Sequence, residues 1–529
     1  MHPSRFNKKV LNPRFAFFFA AFFLLLSFKA FSQEKKRVEI LRAGALVQSE
    51  TVANAQRLID SVIIQHEDIL MYCDSAYTYE NSNRVDAFGH VHINQGDTLH
   101  LYAQKVYYDG DRSFAQAIHD VVLMNKEITL YTDTLDYDMM ENIGYYDCFG
   151  RIVDSTNTLT SKIGKYFLDD NLANFTDSVV GFSDKYTLYS EDIQYNTESE
   201  IIYFKGPTTI RDSANTLYAE DGWYNTITGE ADLRTMPRVY NEKQSLTARQ
   251  ILYHKANGDG QAIGNVHLED FENRTIVKGN EVVYNDSTER AMVTDSAVFI
   301  SYSETDSLYL HADTLYTMPD TVDDENIIKA FYGVRFYRKD VQGVCDSLVY
   351  FTKDSLVQLF VNPVLWSENH QLSADHIELI QHSNAPDEMH MFRNSFIISE
   401  QDTGRYDQIK GKNMVGFVVN GQLDHIDVDG NGQTLYYARE EDEVIGMNRA
   451  ESSNITIRFR DGQIYRIAFQ KAPEGELKPL IDLSEAEQRL SDFNWQIRRR
   501  PINKDDIFRI PNGSKIENEE DLTTQPGQQ

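Results

Sequence analysis

The chain has 529 residues, 51 Lys/Arg against 81 Asp/Glu for a formal charge of -30, and 41% hydrophobic and 12% aromatic residues. That acidity excludes nucleic acid, whose phosphates require a basic face, and that apolar content excludes a chain too polar to build a core. Cys73, Cys148 and Cys345 are odd in number and widely separated, which excludes a disulfide framework.

Arg5, Lys8, Lys9 and Arg14 precede the apolar run Phe15 to Phe28, and Ala30-Phe31-Ser32 follows before Gln33. This is a basic segment, a short apolar segment and a small-x-small cleavage site, so residues 1–32 are expected to be a signal peptide. A retained segment would instead anchor the chain to a membrane, although the run is short of the roughly 20 apolar residues a span needs. Cleavage removes five Lys/Arg and no Asp/Glu, taking the charge to -35.

From residue 79 the chain repeats. Tyr79, Tyr108, Tyr137, Tyr166, Tyr195, Tyr224 and Tyr253 stand 29 residues apart, and Leu101, Leu130, Leu159, Leu188, Leu217 and Leu246 stand seven positions before the last six. A fixed period of this length marks tandem copies of one supersecondary unit. Within a unit, Leu101, Ala103, Val106 and Tyr108 are followed by Leu130, Thr132, Leu135 and Tyr137, with Ile193 before Tyr195 and Ile251 before Tyr253. Residues two apart in a strand share a face, so the gap of three between Ala103 and Val106 breaks parity. If all four side chains enter one core, the strand bends at that gap with the small residue at the corner. The other strand of the unit reads as clean alternation: Ala87, Gly89, Val91 and Ile93, then Ala262, Gly264, Val266 and Leu268. Short polar turns such as Asn94 to Asp97 favour antiparallel hairpins.

The slots begin upstream at Leu41, Ala43 and Leu46 and continue through Val277 to Tyr284, Leu310 to Leu315, Cys345 to Tyr350 and Leu372 to Ile377. At two strands each, about eleven units make roughly 22 strands, reaching on the order of 100 Å at strand spacing. The acidic insert Asp320 to Asn326 reads as a solvated loop. Residues 404–480 read as a smaller C-terminal β module, with Asn420-Gly421 and Asp461-Gly462 as hairpin turns. Residues 481–501 are expected to hold one short helix, N-capped by Ser484, with Leu490 and Phe493 apolar and Pro501 beyond its end. Residues 502–529 read as a polar, disordered tail.

Two metal-like patterns point elsewhere. Asp427-x-Asp429-x-Asn431-Gly432 opens like a calcium loop, but its twelfth position is Ala438 where a Glu is required. His90 and His92, with His100 near, lie on the strand face opposite Gly89, Val91 and Ile93 and lack the ligands that would close a zinc site. No nucleophile elbow, phosphate loop or His-Glu-x-x-His helix is present. The expectation is a non-enzymatic chain with no catalytic residue, metal or cofactor.

Serial Leu-Tyr-Ala-x-x-x-x-Tyr-Asp strands paired with Ala-x-Gly-x-Val-x-Leu strands, as from Ala87 to Asp109, resemble the OstA/LptA family of periplasmic lipopolysaccharide-transport proteins. Met71 to Ala76, Gly446-Met447-Asn448, Asp492-Phe493-x-Trp495 and Arg500-Pro501 resemble its long OstA-like members of Bacteroidetes type. The resemblance covers roughly residues 38 to 400 as repeats, within a repeat domain of residues 33–403, and more weakly 404 to 501. It implies an all-β, twisted, partly open β-jellyroll of antiparallel V-shaped strands, in the periplasm, bridging inner and outer membranes. Its apolar trough would carry lipopolysaccharide acyl chains. The lining candidates are Leu101, Leu130, Leu159, Leu188, Leu217, Leu246, Val106, Leu135, Ile193 and Ile251. Tyr108, Tyr137, Tyr195, Tyr224 and Tyr253 would pack at the trough's rim. Implied partners are lipopolysaccharide, membrane-bound transport proteins added at the open edge strands, and further copies end to end. The alternative is a closed parallel β-helix with one coil per 29 residues, a rod of about 50 Å, serving as an adhesin or carbohydrate-binding scaffold.

Overall fold

The computed structural model describes residues 37–509, apart from positions 50, 51, 53, 80, 81, 97, 286, 305, 321–324, 383, 384, 403, 420, 421, 441, 442, 461 and 462. The expected signal peptide and the Asn420-Gly421 and Asp461-Gly462 turns lie outside the described residues. The described chain divides into two compact units, residues 37–155 with 162–170, and residues 156–161 with 171–509.

In the first unit, long strands run Ala55–His66, Ile69–Tyr79, Arg84–Gln95, Leu99–Asp109, Phe114–Asn125 and Ile128–Asp138, each paired antiparallel to the next. Every strand bends at mid-length. Phe88 pairs with Lys105 and Val91 with Ala103, so Gly89 and His90 together face Gln104 alone. Both residues of that pair are left-handed, with φ of 74° and 44°, and so are Asp60-Ser61 and His119-Asp120 at the equivalent corners. Gly, Asp, Asn and His are the residues that tolerate this region. At Gly89 a Cβ would also meet Asp74 Oδ2 at 2.3 Å.

Leu101, Ala103, Val106 and Tyr108 are all buried, as the parity break requires. The clean alternation read from Ala87 to Ile93 is corrected by the same corner. Ala87, Val91 and Ile93 enter the core, but Gly89 belongs to the turn and does not. The two left-handed residues, one more than the partner strand has at this corner, keep the spacing from Ala87 to Val91 even, so the sequence reads straight through a bend.

The second unit repeats the plan. Its strands are long at Leu172–Phe182 and Thr187–Asn196, then cut at the corner into pairs such as Ile201–Phe204 with Thr208–Arg211 and Ala231–Arg234 with Arg238–Tyr240. Pro207 and Pro237 occupy two of these cuts, where a residue without an N–H loses no ladder bond. Long strands resume at Asp259–Asp270. The acidic insert falls at the tip of a hairpin whose pairing continues to Asp320↔Glu325, with 321–324 outside the described residues. Residues 404–480 form the end of this stack, because Arg405–Val419 pairs along its length with Asp387–Asp402. All strand pairs recorded among the described residues are antiparallel, so a parallel β-helix does not form.

The short helix expected over 481–501 is also corrected. Single 3-10 turns form at Leu480–Asp482, Ile497–Arg499 and Asp506–Phe508. The capping contacts do form, Ser484 N donating to Glu487 Oε2 at 3.0 Å and Glu487 N to Ser484 Oγ at 3.4 Å. No helix propagates: Arg489 N and Phe493 N make only single-turn bonds to Ala486 O and Leu490 O, and two other backbone donors are taken by the sheet. Leu490 N donates to Gln408 Oε1 at 2.8 Å and Gln496 N to Gln371 Oε1 at 2.6 Å. The tail read as disordered from 502 is likewise placed as far as 509, with Ile507 buried against Val298 and Ile300.

Candidate functional site

Residues directly opposite across a ladder share a face, so the pairing defines the interior rows of each unit. In the first unit, Ile64, Met71, Ile93, Leu101, Leu123, Leu130 and Ile152 are successive partners on one arm of the V. None is more than 2% exposed. On the other arm, Leu58, Ala76, Ala87, Val106, Ala117 and Leu135 form a second closed row. Near the arm's tip the row reads Tyr108, Ala115, Tyr137, Gly144, Tyr166. A large ring alternates with a small neighbour, and since two strands make one unit, this alternation is the physical origin of the 29-residue Tyr interval.

The ring hydroxyls close the mouth of the V. Tyr108 Oη lies 2.6 Å from His66 Nδ1, Tyr137 donates to Gln95 Oε1 at 3.1 Å, and Asn125 Nδ2 donates to Tyr166 Oη at 3.5 Å. His66, Gln95 and Asn125 each end a strand on the opposite arm. Burial pushes the Tyr108 and Tyr137 hydroxyls far up in pKa, so both are neutral donors or acceptors. In the second unit Asn157 plays the same part, donating to Tyr195 Oη at 3.1 Å and accepting from Tyr186 at 2.8 Å.

The interior of the second unit then changes character. Its row runs Leu188, Ile210, Leu217, Val239, Leu246, Leu268, Val277, Phe299, Leu310 by direct pairing. Leu188 and Ile210 are buried at one end and Leu310 at the other. Between them all six residues from Leu217 to Phe299 are half-buried. On the facing arm, Tyr224, Tyr253 and Tyr284 are half-buried as well. Gly260 lies between Tyr253 and Tyr284 in the ladder, and their rings stack 6.4 Å apart over it. A Cβ at Gly260 would meet the Tyr284 ring at 1.8 Å.

The lining candidates therefore fall in two environments. Leu101, Leu130, Val106 and Leu135 in the first unit, and Leu159, Leu188, Ile193 and Ile251 in the second, are closed core. Leu217 and Leu246 face partly accessible space. Of the rim residues, Tyr108, Tyr137 and Tyr195 are buried, while Tyr224 and Tyr253 are half-buried.

Residues 35–191 and 182–249 match the family model described as OstA-like protein. The repeats up to residue 249 are similar to OstA-like proteins. The half-open row begins inside this OstA-like region, at Leu217, and extends past its end to Phe299. No curated protein matches the sequence. Among solved structures, the chain is similar to LptH of Pseudomonas aeruginosa, described as the LptA-homologous periplasmic component of the conserved lipopolysaccharide transport device. That likeness has 10% identity and a TM-score of 0.10, and covers 32% of this chain and 80% of the other.

The metal-like patterns resolve into sheet structure. Gly430-Asn431 is a left-handed corner within the strand Gln422–Glu440, and Asp427 and Asp429 accept from Thr456 Oγ1 at 2.7 Å and Asn454 Nδ2 at 2.9 Å. His92 stacks on Tyr102 at 4.4 Å on the outward face and lies 3.1 Å from His100 Nδ1. His90 bonds Asp74 at the corner, at 2.8 Å. A cleft of ≈ 510 Å³ near the C-terminal end of the second unit is lined by Met391, Met414, Val428 and Ile455 together with outward polar residues such as His390 and Asp427.

One feature takes the place of the expected helix. Residues 480–509 run as a strap across the outward face of one arm. Leu490, Phe493 and Trp495 pack with Phe396, Ile398 and Tyr437. Beneath it lies an outward row, Gln408, Ile398, Gln371, Trp366, Gln342, in which glutamine alternates with apolar residues. Gln408 and Gln371 each use both ends of the amide on the strap backbone. Gln408 Nε2 donates to Gln488 O at 2.9 Å and Gln371 Nε2 to Asn494 O at 2.7 Å, while their Oε1 atoms accept from Leu490 N and Gln496 N. Outward glutamines read in sequence as a solvated face, and nothing distinguishes those that pair a strap.

Proposed function

We propose that the chain is a lipopolysaccharide-transport bridge of the periplasm, and that it holds acyl chains along the half-open row of the second unit. The observation that carries this reading is the run of six apolar side chains from Leu217 to Phe299, partly accessible and bounded by closed core at both ends. Six strands at sheet spacing make this row about 24 Å long. Each methylene leaving water for it contributes roughly 0.8 kcal/mol, so ten contribute about 8 kcal/mol. Tyr224, Tyr253 and Tyr284 supply the facing wall. The OstA-like repeats support the substrate class. No helix among the described residues is long and apolar enough to cross a membrane.

Partners would join at the sheet edges by strand addition. Glu39–Arg42 and Ala45–Gln48 in the first unit, and Gln463–Gln470 and Glu474–Lys478 in the second, are short edge strands with largely exposed residues. Membrane-bound transport proteins and further copies of the chain are the expected occupants. The bridge acts without covalent chemistry. A charge placed in the row tests it: Leu246→Asp should abolish lipopolysaccharide binding by the purified chain, whereas Leu246→Phe should retain it. Equal binding by both variants would refute the assignment.

A further inference from the structure

The strap brings a cluster of cations into a chain of net charge -30. Arg499, Arg500 and Arg509 lie on it, and Arg335 lies beneath, on the outward face of Glu325–Tyr337. Arg335 is 5% exposed. Its Nη2 donates to Arg499 O at 3.1 Å, and its Nε has no partner. Arg500 is committed to neutral acceptors, Gln342 Oε1 at 2.7 Å and Glu368 O at 2.8 Å. Arg509 reaches Arg500 O at 3.0 Å and pairs with Asp506 at 3.0 Å, while Arg499 bonds Gln496 Oε1 at 2.6 Å. Asp506 is thus the one carboxylate that pairs with any of the four among the described residues.

A buried guanidinium without a carboxylate is an unusual arrangement, because buried charges are as a rule paired. Burial, and then Arg509, push the Arg335 pKa below the usual range, with Asp506 opposing and Arg499 adding to the shift. The surrounding protein field is negative and repels anions, so a local excess of guanidinium is what holding one requires. The fork geometry of arginine matches tetrahedral oxyanions, and a phosphomonoester offers nearly two charges and three acceptor oxygens.

We propose that Arg335, Arg499 and Arg509 form a binding site for a phosphomonoester, free or as a phosphorylated headgroup, where the strap crosses Glu325–Tyr337. Arg500 is a positioning residue that fixes the strap through Gln342 and Glu368. The site is on the outward face and is separate from the apolar row, so it stands or falls independently of the lipid-transport reading.

The test uses the full chain, with thermal unfolding and phosphorus NMR linewidths followed in inorganic phosphate against chloride at matched ionic strength. Flotation with vesicles of phosphatidic acid against phosphatidylcholine forms the second arm. Phosphate is expected to raise the melting temperature of the wild type. Arg499→Gln with Arg509→Gln, both at exposed positions, should weaken binding at least roughly tenfold, as loss of charge-assisted bonds implies. Arg335→Met should lose the response and melt higher than wild type in phosphate-free buffer, since it removes the unpaired charge. A response to inorganic phosphate identifies a free anion, and one confined to phosphatidic acid identifies a headgroup; either supports the site. No response in either arm, or an undiminished one in the Arg499→Gln/Arg509→Gln chain, overturns it.

Discussion

Replacing Gln371 by alanine should release the strap while leaving the sheet intact. The side chain is 0% exposed, and its amide pairs two backbone groups of the strap, Asn494 O at 2.7 Å and Gln496 N at 2.6 Å. Alanine removes the partner of both, and for part-buried bonds this costs about 0.5–1.5 kcal/mol each, so the local penalty is roughly 1–3 kcal/mol. The ladder around position 371 is made by backbone atoms, His370–Ser373 pairing with Val364–Ser367 and with Asp387–Asp402, and the substitution does not touch it. The loss therefore falls on the strap. Hydrogen exchange in peptides covering 486–500 should accelerate by about an order of magnitude, while peptides from 387–419 stay protected. Gln358→Ala is the control, because among the described residues its side chain bonds the cross-strand Glu378, at 2.8 Å, and not the strap. Unchanged exchange over 486–500 in Gln371→Ala would show that the glutamine row does not hold the strap.

Two further outcomes follow from the polar groups. Tyr137→Phe keeps the ring in its Ala115/Gly144 slot but removes the bonds to Gln95 and Asn142, at 3.1 and 3.0 Å, and should cost about 1–3 kcal/mol in urea unfolding of the first unit; a cost under about 0.5 kcal/mol would deny the mouth contact a stabilising role. Asp407 is buried, and burial raises its pKa to about 7, opposed by the Tyr437 N–H and Arg439. The folded chain therefore holds a proton that the unfolded chain loses near pH 4, so stability falls as pH rises from about 4 to 7, by up to about 1.4 kcal/mol per unit. Asp407→Asn should flatten that dependence in thermal unfolding, and an identical slope in the variant would contradict the assignment.

The V-shaped strand was legible because side-chain direction has a period of two. A spacing of two, three, two across Leu101, Ala103, Val106 and Tyr108 cannot keep one face without a bend. The partner strand concealed its corner, since two left-handed residues at Gly89-His90 leave the even spacing of Ala87, Val91 and Ile93 intact. The interval of 29 was visible, but its cause, Tyr alternating with Ala115 and Gly144 across adjacent strands, needed the register. The strap reads as a helix in the sequence for a general reason. Leu490 and Phe493, three apart behind Ser484, suit one face of a helix, and they suit equally a chain of turns laid on an apolar sheet surface. Tertiary donors from Gln408 and Gln371 decided between the two, and no local pattern announces them. The difference between Leu101 in closed core and Leu246 in partly accessible space was equally hidden, because both occupy one slot of one repeat.

The central claim is that acyl chains lie along the Leu217 to Phe299 row. A photo-crosslinking aromatic analogue placed at Leu246 in cells tests it directly, with Leu101 and the outward Gln194 as references. The account predicts that lipopolysaccharide is captured several-fold more strongly from position 246 than from either reference. Labelling at 246 no stronger than at Gln194 would contradict it.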